Sequence, residues 1–225
     1  MPKVLSQYEP PTDPLLVLYQ DDQLLVLDKP SGLLSVPGKS PDHADCLLVR
    51  AQQACPDALL VHRLDMETSG VFIMAKTKLA QRHLGLQFEN RNSKKTYVAQ
   101  AWGHLESDEG HVDLPLICDW PNRPKQMVDF ENGKQAITDW AVVDRAYLGG
   151  DKSPYTRVEL RPKTGRSHQL RVHMLALGHP ILGDQLYAEG DALDAADRLH
   201  LHAESLTVMH PSTKQFMTFK SPCPF

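Results

Sequence analysis

The chain has 225 residues, of which 41% are hydrophobic and 23% charged, and this balance is typical of a folded protein rather than a disordered one. No run approaches the roughly 18 consecutive apolar residues of a membrane span, and the Pro-rich start lacks a signal-peptide core. The net charge of −4 hides an asymmetry, because residues 76–171 contain 16 Lys and Arg against 12 Asp and Glu, and the remainder contains 8 against 16. We therefore expect a cytosolic protein with no membrane partner and a basic middle segment suited to phosphate groups.

The residue types that bind metals lack the spacing of a metal site. The four cysteines form no Cys-x-x-Cys pair, so neither a zinc site nor a disulfide framework is indicated. His200 and His202 are two positions apart, which places them on opposite faces of a strand rather than side by side. We expect a protein without a metal ion.

The first quarter of the chain predicts an arm, two strands and a helix. Residues 1–14 carry four prolines and predict an extended N-terminal arm. The apolar runs 15–20 and 24–28 predict strands that meet at an Asp-Asp turn. Residues 43–55 predict a helix with Asp42 as its N-cap.

A polar loop between two apolar runs is the most informative stretch of the chain. Residues 58–64 and 71–76 predict buried strands, and the connection between them is dense in polar groups. Loops at strand ends often carry catalytic groups, whereas an ordinary turn, with Asp and Ser capping the backbone, explains the same composition. The polar residues are His62, Arg63, Asp65, Glu67, Thr68 and Ser69.

The middle of the chain predicts a capped helix, a strand and an irregular segment. Thr77 is a suitable N-cap for an amphipathic helix, and residues 94–102 alternate as a strand that includes Tyr97. Residues 113–125 contain three prolines, which argue against regular structure, so this stretch is either functional or mobile. The apolar side of the helix is expected to consist of Leu79, Leu84, Leu86 and Phe88.

The last third predicts a hairpin, a helix and two closing strands. Residues 134–148 and 155–162 alternate and are joined by a turn-rich loop. Ser167 is a candidate N-cap and Gly178 a candidate terminator for the helix that follows, which places Arg166 at the corner between strand and helix. Residues 186–198 predict a short helix or loop, and residues 199–208 and 215–220 predict the closing strands.

Three blocks together resemble the RluA family of pseudouridine synthases. The first block is His-Arg-Leu-Asp-x-x-Thr-Ser-Gly at residues 62–70, the second is Lys-x-Tyr-x-Ala around Tyr97, and the third is Gly-Arg-x-His-Gln-Leu-Arg at residues 165–171. A Lys-Pro-x-Gly block at residues 29–32 resembles the family's segment near the active site. The resemblance spans nearly the whole chain and is closest to the small members that modify both rRNA and tRNA.

The resemblance implies a fold and a set of catalytic residues. The implied fold is α+β, with a mixed, largely antiparallel sheet, flanking helices and a central catalytic cleft. Residues 15–225 would form the catalytic domain, without a separate S4 domain. Asp65 would be the catalytic carboxylate, Arg166 its cationic partner, and Tyr97 a group beside the uracil base.

The resemblance also implies how RNA is bound. The target nucleotide must leave its stack, and Arg63 matches the family residue that fills the vacated space. Trp120 is expected to stack on a base, and Arg123 and Lys125 to bind phosphates. The implied substrates are stem-loops of large-subunit rRNA and the tRNA anticodon stem-loop, with no cofactor, no metal and a monomeric protein.

Three alternatives remain open at this point. A family member specific for other rRNA uridines would carry the same blocks. A glycoside or nucleoside hydrolase would use a pair of carboxylates, for which Glu67 is available beside Asp65. A non-catalytic RNA-binding module would need no carboxylate at all.

Overall fold

The computed structural model describes residues 8–149 and 153–225, and within them the chain forms twelve strands and four α-helices. Two short 3-10 helices cover Pro41–His43 and Trp120–Asn122. The strands are β1 (Leu16–Gln20), β2 (Leu24–Lys29), β3 (Leu59–Leu60), β4 (Ser69–Ala75), β5 (Lys94–Trp102), β6 (Glu109–Asp113), β7 (Leu116–Cys118), β8 (Gln126–Val128), β9 (Ile137–Leu148), β10 (Ser153–Pro162), β11 (Leu201–Met209) and β12 (Phe216–Lys220). The helices are α1 (Leu47–Ala54), α2 (Lys78–Glu89), α3 (Gln169–Ala176) and α4 (Asp191–Asp194).

The chain divides into two compact units, each of which is described by itself. The Asp65 unit comprises residues 8–95 and His202–Phe225, and the Arg166 unit comprises Thr96–Leu201. Both units combine sheet and helix, and all strand pairs except β4 with β11 are antiparallel among those with a determined register. The predicted α+β class with a mixed, largely antiparallel sheet is confirmed.

In the Asp65 unit the strands run in the order β1-β2-β4-β11, with β3 on β4 and β12 on β11. Every residue of β4 is buried, because both faces of this strand are covered. Val71 and Ile73 pack in the cluster that includes α2, and Phe72 and Met74 pack in the cluster that includes α1. Because successive residues are buried on opposite faces, nearly every position of the strand is apolar.

In the Arg166 unit the antiparallel order is β5-β10-β9-β6, and β7 pairs with β8 in a separate two-stranded hairpin. The main core lies between this sheet and α3, with Trp140, Val158 and Leu160 from the strands and Leu170 and Met174 from the helix. A smaller cluster joins the hairpin to α3. None of the helices in the described part of the chain is long and apolar enough to cross a membrane.

Several elements predicted from the sequence are confirmed, most of them with ends shifted by one to three residues. The strands β1, β2, β5, β11 and β12, the hairpin of β9 and β10, and the cap at Thr77 all form, and Thr77 Oγ1 accepts a hydrogen bond from the Ala80 N–H at 3.0 Å. Gly178 follows α3 with a φ of +83°, as the helix end requires. The predicted arm and hairpin loop fall partly outside the described residues, at 1–7 and 150–152.

The predicted first helix forms, but its start and its cap differ from the prediction. The helix begins at Leu47 rather than residue 43, and Asp42 lies in the 3-10 helix Pro41–His43, whose cap is Ser40. Ser40 precedes a proline, which is well suited to the first turn of a helix because it lacks an N–H. The 3-10 helix that starts at this proline ends at His43, before the buried residues of α1 begin.

The apolar side predicted for α2 is also partly wrong. Leu79 is 80% exposed and Leu86 is 46% exposed, while Ala80, Leu84 and Gln87 form the buried stripe. Gln87 is buried in this stripe although it is polar, because its side chain bonds both the N–H and the carbonyl of Met209, at 2.7 and 2.8 Å.

The segment at residues 113–125 is more regular than predicted. Leu116–Cys118 and Gln126–Val128 pair as β7 and β8, because all prolines of the segment lie outside these two short strands. The irregular part is confined to the hairpin tip between them.

Candidate active site

Asp65 lies in the loop that joins β3 to β4, and its side chain is half-buried, while the neighbouring Arg63 is exposed. The strand predicted over 58–64 extends only over Leu59–Leu60. The pairing of β3 with β4 stops at Leu60 and Met74. The N–H of the next β4 residue on the loop side, Ile73, donates to the His62 ring at 3.1 Å instead of to a carbonyl of β3. The strand therefore ends four residues earlier than predicted.

The backbone of the Asp65 loop is fixed by the segment that follows β2. Ser35 Oγ donates to the Leu64 carbonyl at 2.6 Å and accepts from the Leu64 N–H at 3.1 Å. Ser31 Oγ donates to the Glu67 carbonyl at 2.7 Å. Loop backbone on both sides of the carboxylate is thus bonded to a second segment, which restricts how far the loop can move.

Lys29 also bonds the backbone of the Asp65 loop. Its side chain is fully buried, and Nζ donates to the carbonyl oxygens of Met66 and Thr68 at 2.8 Å each and of Pro30 at 2.9 Å. A buried ammonium is tolerated only when such polar partners replace water. The Lys-Pro-x-Gly block therefore acts as a clamp on the loop that carries Asp65.

His62 supports the loop as a neutral ring. It stacks between Phe72 and Phe88, with ring centroids 4.4 and 5.0 Å away. Burial lowers the pKa of His62 to about 3, and the nearby Lys95 charge acts in the same direction. Because Nε2 accepts the Ile73 N–H, this nitrogen carries no proton, and the ring helps to hold β4 in place.

The end of the motif is fixed by the contact of β4 with β11. Gly70 has a φ of +109°, and a Cβ there would lie 2.3 Å from the Ala203 carbonyl oxygen. Beside it, Ser69 Oγ lies 2.9 Å from His202 Nδ1, and His202 Nε2 lies 3.0 Å from the Ser221 carbonyl. The carbonyl can only accept, so Nε2 carries the proton and the Ser69 hydroxyl donates to Nδ1.

Arg166 lies at the predicted corner between β10 and α3, and its side chain is exposed. Its N–H donates to Gln169 Oε1 at 3.0 Å, and its Nε donates to the Gln135 carbonyl at 3.1 Å. Gln169 is buried and in turn donates to the Ile137 carbonyl at 2.9 Å. The Gln of the third block thus holds the backbone of the Arg against β9.

Ser167 is not the cap of α3, contrary to the prediction. The N-cap is His168, which adopts a left-handed conformation with a φ of 53° and makes no capping bond through its side chain. Gln169, the first residue of α3, reaches back to accept the Arg166 N–H, which ties the start of the helix to the corner before it.

Tyr97 is half-buried on β5, opposite Leu160 of β10, and packs against the core of the Arg166 unit. Packing in the core therefore accounts for part of the tyrosine's surface. The remainder is open to solvent.

The tip of the β7–β8 hairpin presents an aromatic ring and a cation. Trp120 is 66% exposed, and the guanidinium carbon of Arg123 lies 4.3 Å from the centre of its ring. Lys125, at the end of the tip, is half-buried. An exposed indole beside cations is a suitable surface for bases and phosphates.

The structure thus places the predicted site residues in three groups. Arg63 and Asp65 share one loop of the Asp65 unit, while Trp120, Arg123 and Lys125 share one hairpin tip of the Arg166 unit. Tyr97 and Arg166 belong to that second unit at other positions.

Sequence reasoning missed the residues that hold these groups in place. Lys29 stood out only as part of a resembling block, and its burial has no signal in the sequence. Tyr187 lies outside the three blocks that resemble the family, although its hydroxyl accepts from the Gln126 N–H at the start of β8. Both roles depend on contacts between segments far apart in sequence.

Comparison with known proteins gives consistent matches. Residues 23–176 match the RNA pseudouridylate synthase family. The chain is 57% identical to the dual-specificity RNA pseudouridine synthases RluA of Salmonella typhi and of Escherichia coli strain K12, over 98% of this chain and 99% of theirs. Among solved structures, human RNA pseudouridylate synthase domain containing 1 superposes with a TM-score of 0.81 at 29% identity, over 96% of this chain and 87% of that one.

Fold and motifs together define an RNA-modifying isomerase. The chain belongs to the RNA pseudouridylate synthase family, in its RluA branch, whose activity is the isomerisation of uridine to pseudouridine in RNA. The resemblance seen in the three sequence blocks is confirmed.

Proposed function

We propose that this protein converts uridine to pseudouridine in stem-loops of large-subunit rRNA and in the tRNA anticodon stem-loop, with Asp65 as the catalytic carboxylate. The dual range is supported by the relatives at 57% identity, which are named dual-specificity enzymes. We also propose a cytoplasmic monomer in which residues 15–225 form the catalytic domain.

The observation that carries the role of Asp65 is the clamp on its loop. Buried Lys29 bonds the carbonyls of Met66 and Thr68, so the backbone beside the carboxylate is held on a rigid base. Catalysis gains from a reacting group that is already in position. A module that only binds phosphate backbones has no use for a fixed, half-buried carboxylate.

The chemistry needs one carboxylate and no redox step. The N1–C1′ bond breaks, the uracil rotates, and C5 bonds to C1′; C5 then loses its proton and N1 gains one, so the product has the same composition as the substrate. In our proposal Asp65 acts on the sugar, either at C1′ or by removing a sugar proton. We assign to Arg166 the role of cationic partner of this carboxylate, since a guanidinium binds an anion through paired, charge-assisted hydrogen bonds. Tyr97 lies beside the base and takes part in removing the C5 proton.

Access to the uridine requires that the nucleotide leave its stack, at a cost of a few kcal/mol that is lowest in a loop. We assign to exposed Arg63 the task of filling the vacated space, because a guanidinium plane stacks on bases. Trp120 stacks on an unpaired base, and Arg123 and Lys125 bind phosphates.

The test is to incubate the protein with unmodified rRNA and tRNA transcripts and to map pseudouridine by carbodiimide-blocked reverse transcription. We expect new stops in both RNAs. Stops in rRNA alone would remove the tRNA part of the proposal, and stops in neither RNA with a folded protein would remove the proposed activity.

A matched variant separates this proposal from a two-carboxylate hydrolase. Glu67 is the only other carboxylate of the loop, and Ser31 Oγ lies 3.2 Å from its Oε2. We expect Glu67→Gln to retain most of the activity and the wild-type protein to release no free uracil. Release of uracil, together with inactivity of Glu67→Gln, would favour the hydrolase.

A further inference from the structure

The hydroxyl of Tyr187 joins two segments that carry proposed RNA-binding and catalytic residues. It accepts the N–H of Gln126, the first residue of β8, at 2.7 Å. The same oxygen lies 2.7 Å from Nδ1 of His168, two residues after Arg166. One oxygen atom therefore connects the hairpin of Trp120 to the corner of Arg166.

Tyr187 is itself rigidly placed. Its side chain is buried and packs with Val172 in the small cluster between α3 and the hairpin. Asp184 accepts the Tyr187 N–H at 3.2 Å and forms a buried, two-bond ion pair with Arg171, at 2.7 and 2.8 Å. The Arg171 guanidinium lies 5.1 Å from the centre of the tyrosine ring. The hydroxyl is thus held from the side of α3.

An open cavity borders both the hairpin and the tyrosine that holds it. An open cavity of about 800 Å³ lies beside β8, with Met127 of the hairpin and Leu175 of α3 among its walls. Close packing leaves an element little room to move. Where a cavity replaces part of that packing, a directed hydrogen bond contributes more to fixing the position of the strand.

We propose that Tyr187 is a positioning residue for the RNA substrate. Through its hydroxyl it sets the position of the β7–β8 hairpin relative to the Arg166 corner, and thereby the register in which a stem-loop is bound. The role extends the proposed function, because it requires that the Trp120 hairpin binds RNA. The partner of the positioned hairpin is the loop of an RNA stem-loop. This RNA loop must contact the hairpin and present its uridine in a single pose.

The first test is Tyr187→Phe, which removes the hydroxyl and keeps the ring. We expect the KM for rRNA and tRNA stem-loops to rise about threefold to tenfold, the range for loss of one buried hydrogen bond, with kcat within about twofold of wild type. The matched control is Tyr147→Phe, since Tyr147 is half-exposed and contacts His104 at another site of the same unit. The control should leave both constants unchanged.

Amide hydrogen exchange reports the bond without any RNA. The Gln126 amide should exchange faster in Tyr187→Phe than in wild type, because its acceptor is gone, and should be unaffected in Tyr147→Phe. Faster exchange with an unchanged KM would confirm that the hydrogen bond exists in wild type but would overturn the positioning role. Unchanged exchange would overturn the role by removing its structural basis.

A double-mutant cycle tests whether Tyr187 acts through the hairpin. If it does, Tyr187→Phe should raise KM much less in a Trp120→Ala background than in wild type, because the group being positioned is missing. Fully additive effects would overturn the role. A wild-type protein inactive on both stem-loops would overturn the proposed function itself, whereas an active wild type with an unchanged KM in the variant overturns only the role of Tyr187.

Discussion

Lys29 Nζ lies 2.8 Å from the carbonyl oxygen of Thr68, three residues after Asp65 and within the motif that defines the site. The ammonium group has no exposed surface, so its charge is stabilised by carbonyl oxygens of the loop and of its own segment. Through this contact, a residue at the end of β2 fixes the geometry of a loop more than thirty positions later.

Replacing Lys29 with Met should destabilise the protein and impair catalysis. The loss leaves buried carbonyls without a donor, and we expect a decrease of about 2–4 kcal/mol in the free energy of unfolding. Urea unfolding followed by circular dichroism measures this change. Lys78→Met, an exposed lysine on α2, serves as the control and should change stability by less than about 0.5 kcal/mol. Equal stability of the two variants would refute the clamp.

Gly70→Ala should be strongly destabilising because a Cβ at this position meets the Ala203 carbonyl oxygen at 2.3 Å and the φ is positive. We expect a loss of about 3 kcal/mol or more. Gly85 offers the matched control, since it lies in α2 with open space around its Cβ position. Gly85→Ala should stabilise by about 0.5–1 kcal/mol, the helix propensity difference. Thermal unfolding of both variants would show opposite shifts in Tm, and a neutral Gly70→Ala would contradict the close approach of β4 and β11.

His62 should make the protein less stable in mild acid. Its pKa in the folded state is about 3, below the usual value near 6.5, so the unfolded chain binds a proton more readily. Its contribution to stability is present above pH 6.5 and decreases as the pH falls from there toward 3, by at most about 1.4 kcal/mol per pH unit.

The variant His62→Gln, which does not titrate, tests this pH dependence. It should lose stability at pH 8, because the ring stacking is gone, but should lose less than wild type between pH 7 and pH 5. Urea unfolding at several pH values gives both quantities, with exposed His111→Gln as the control. The same slope in wild type and His62→Gln would contradict the neutral, buried assignment.

Arg123→Ala should weaken RNA binding and flatten its dependence on salt. If the guanidinium neutralises one phosphate, the slope of log affinity against log salt concentration should decrease by about 0.7. Lys220→Ala removes the same charge from an exposed position on β12 and should leave the slope unchanged. Filter binding of a stem-loop at four salt concentrations measures both, and identical slopes for the two variants would argue against a phosphate contact at Arg123.

The sequence predicted the elements whose signals are local. Alternation located β5 and the hairpin of β9 and β10, and a threonine before an amphipathic stretch located the cap of α2. The three blocks located the proposed catalytic residues. The errors arose where a distant partner decides the outcome. Gln87 takes a core position of α2 because Met209 offers both backbone groups. Nothing in the local sequence distinguishes it from a solvated glutamine.

The candidate site follows the same division. Asp65 and Arg166 belong to long motifs and were found, whereas Lys29 and Tyr187 matter through bonds to backbone groups of other segments. Unlike a helix cap, a side-chain bond to the backbone of a distant segment carries no pattern in the sequence of either partner. Such supporting residues become visible only when the fold brings the segments together.

The most direct test of the central claim is a single-turnover assay of Asp65→Asn, which keeps the size of the side chain and removes its charge. Excess enzyme is mixed with a tRNA anticodon stem-loop, the RNA is digested, and pseudouridine is quantified by mass spectrometry, with stem-loop affinity measured in parallel. Our account predicts no detectable pseudouridine from Asp65→Asn, an affinity within a few-fold of wild type, and full conversion by wild type. Conversion by Asp65→Asn at a rate close to wild type would contradict the assignment of Asp65 as the catalytic carboxylate.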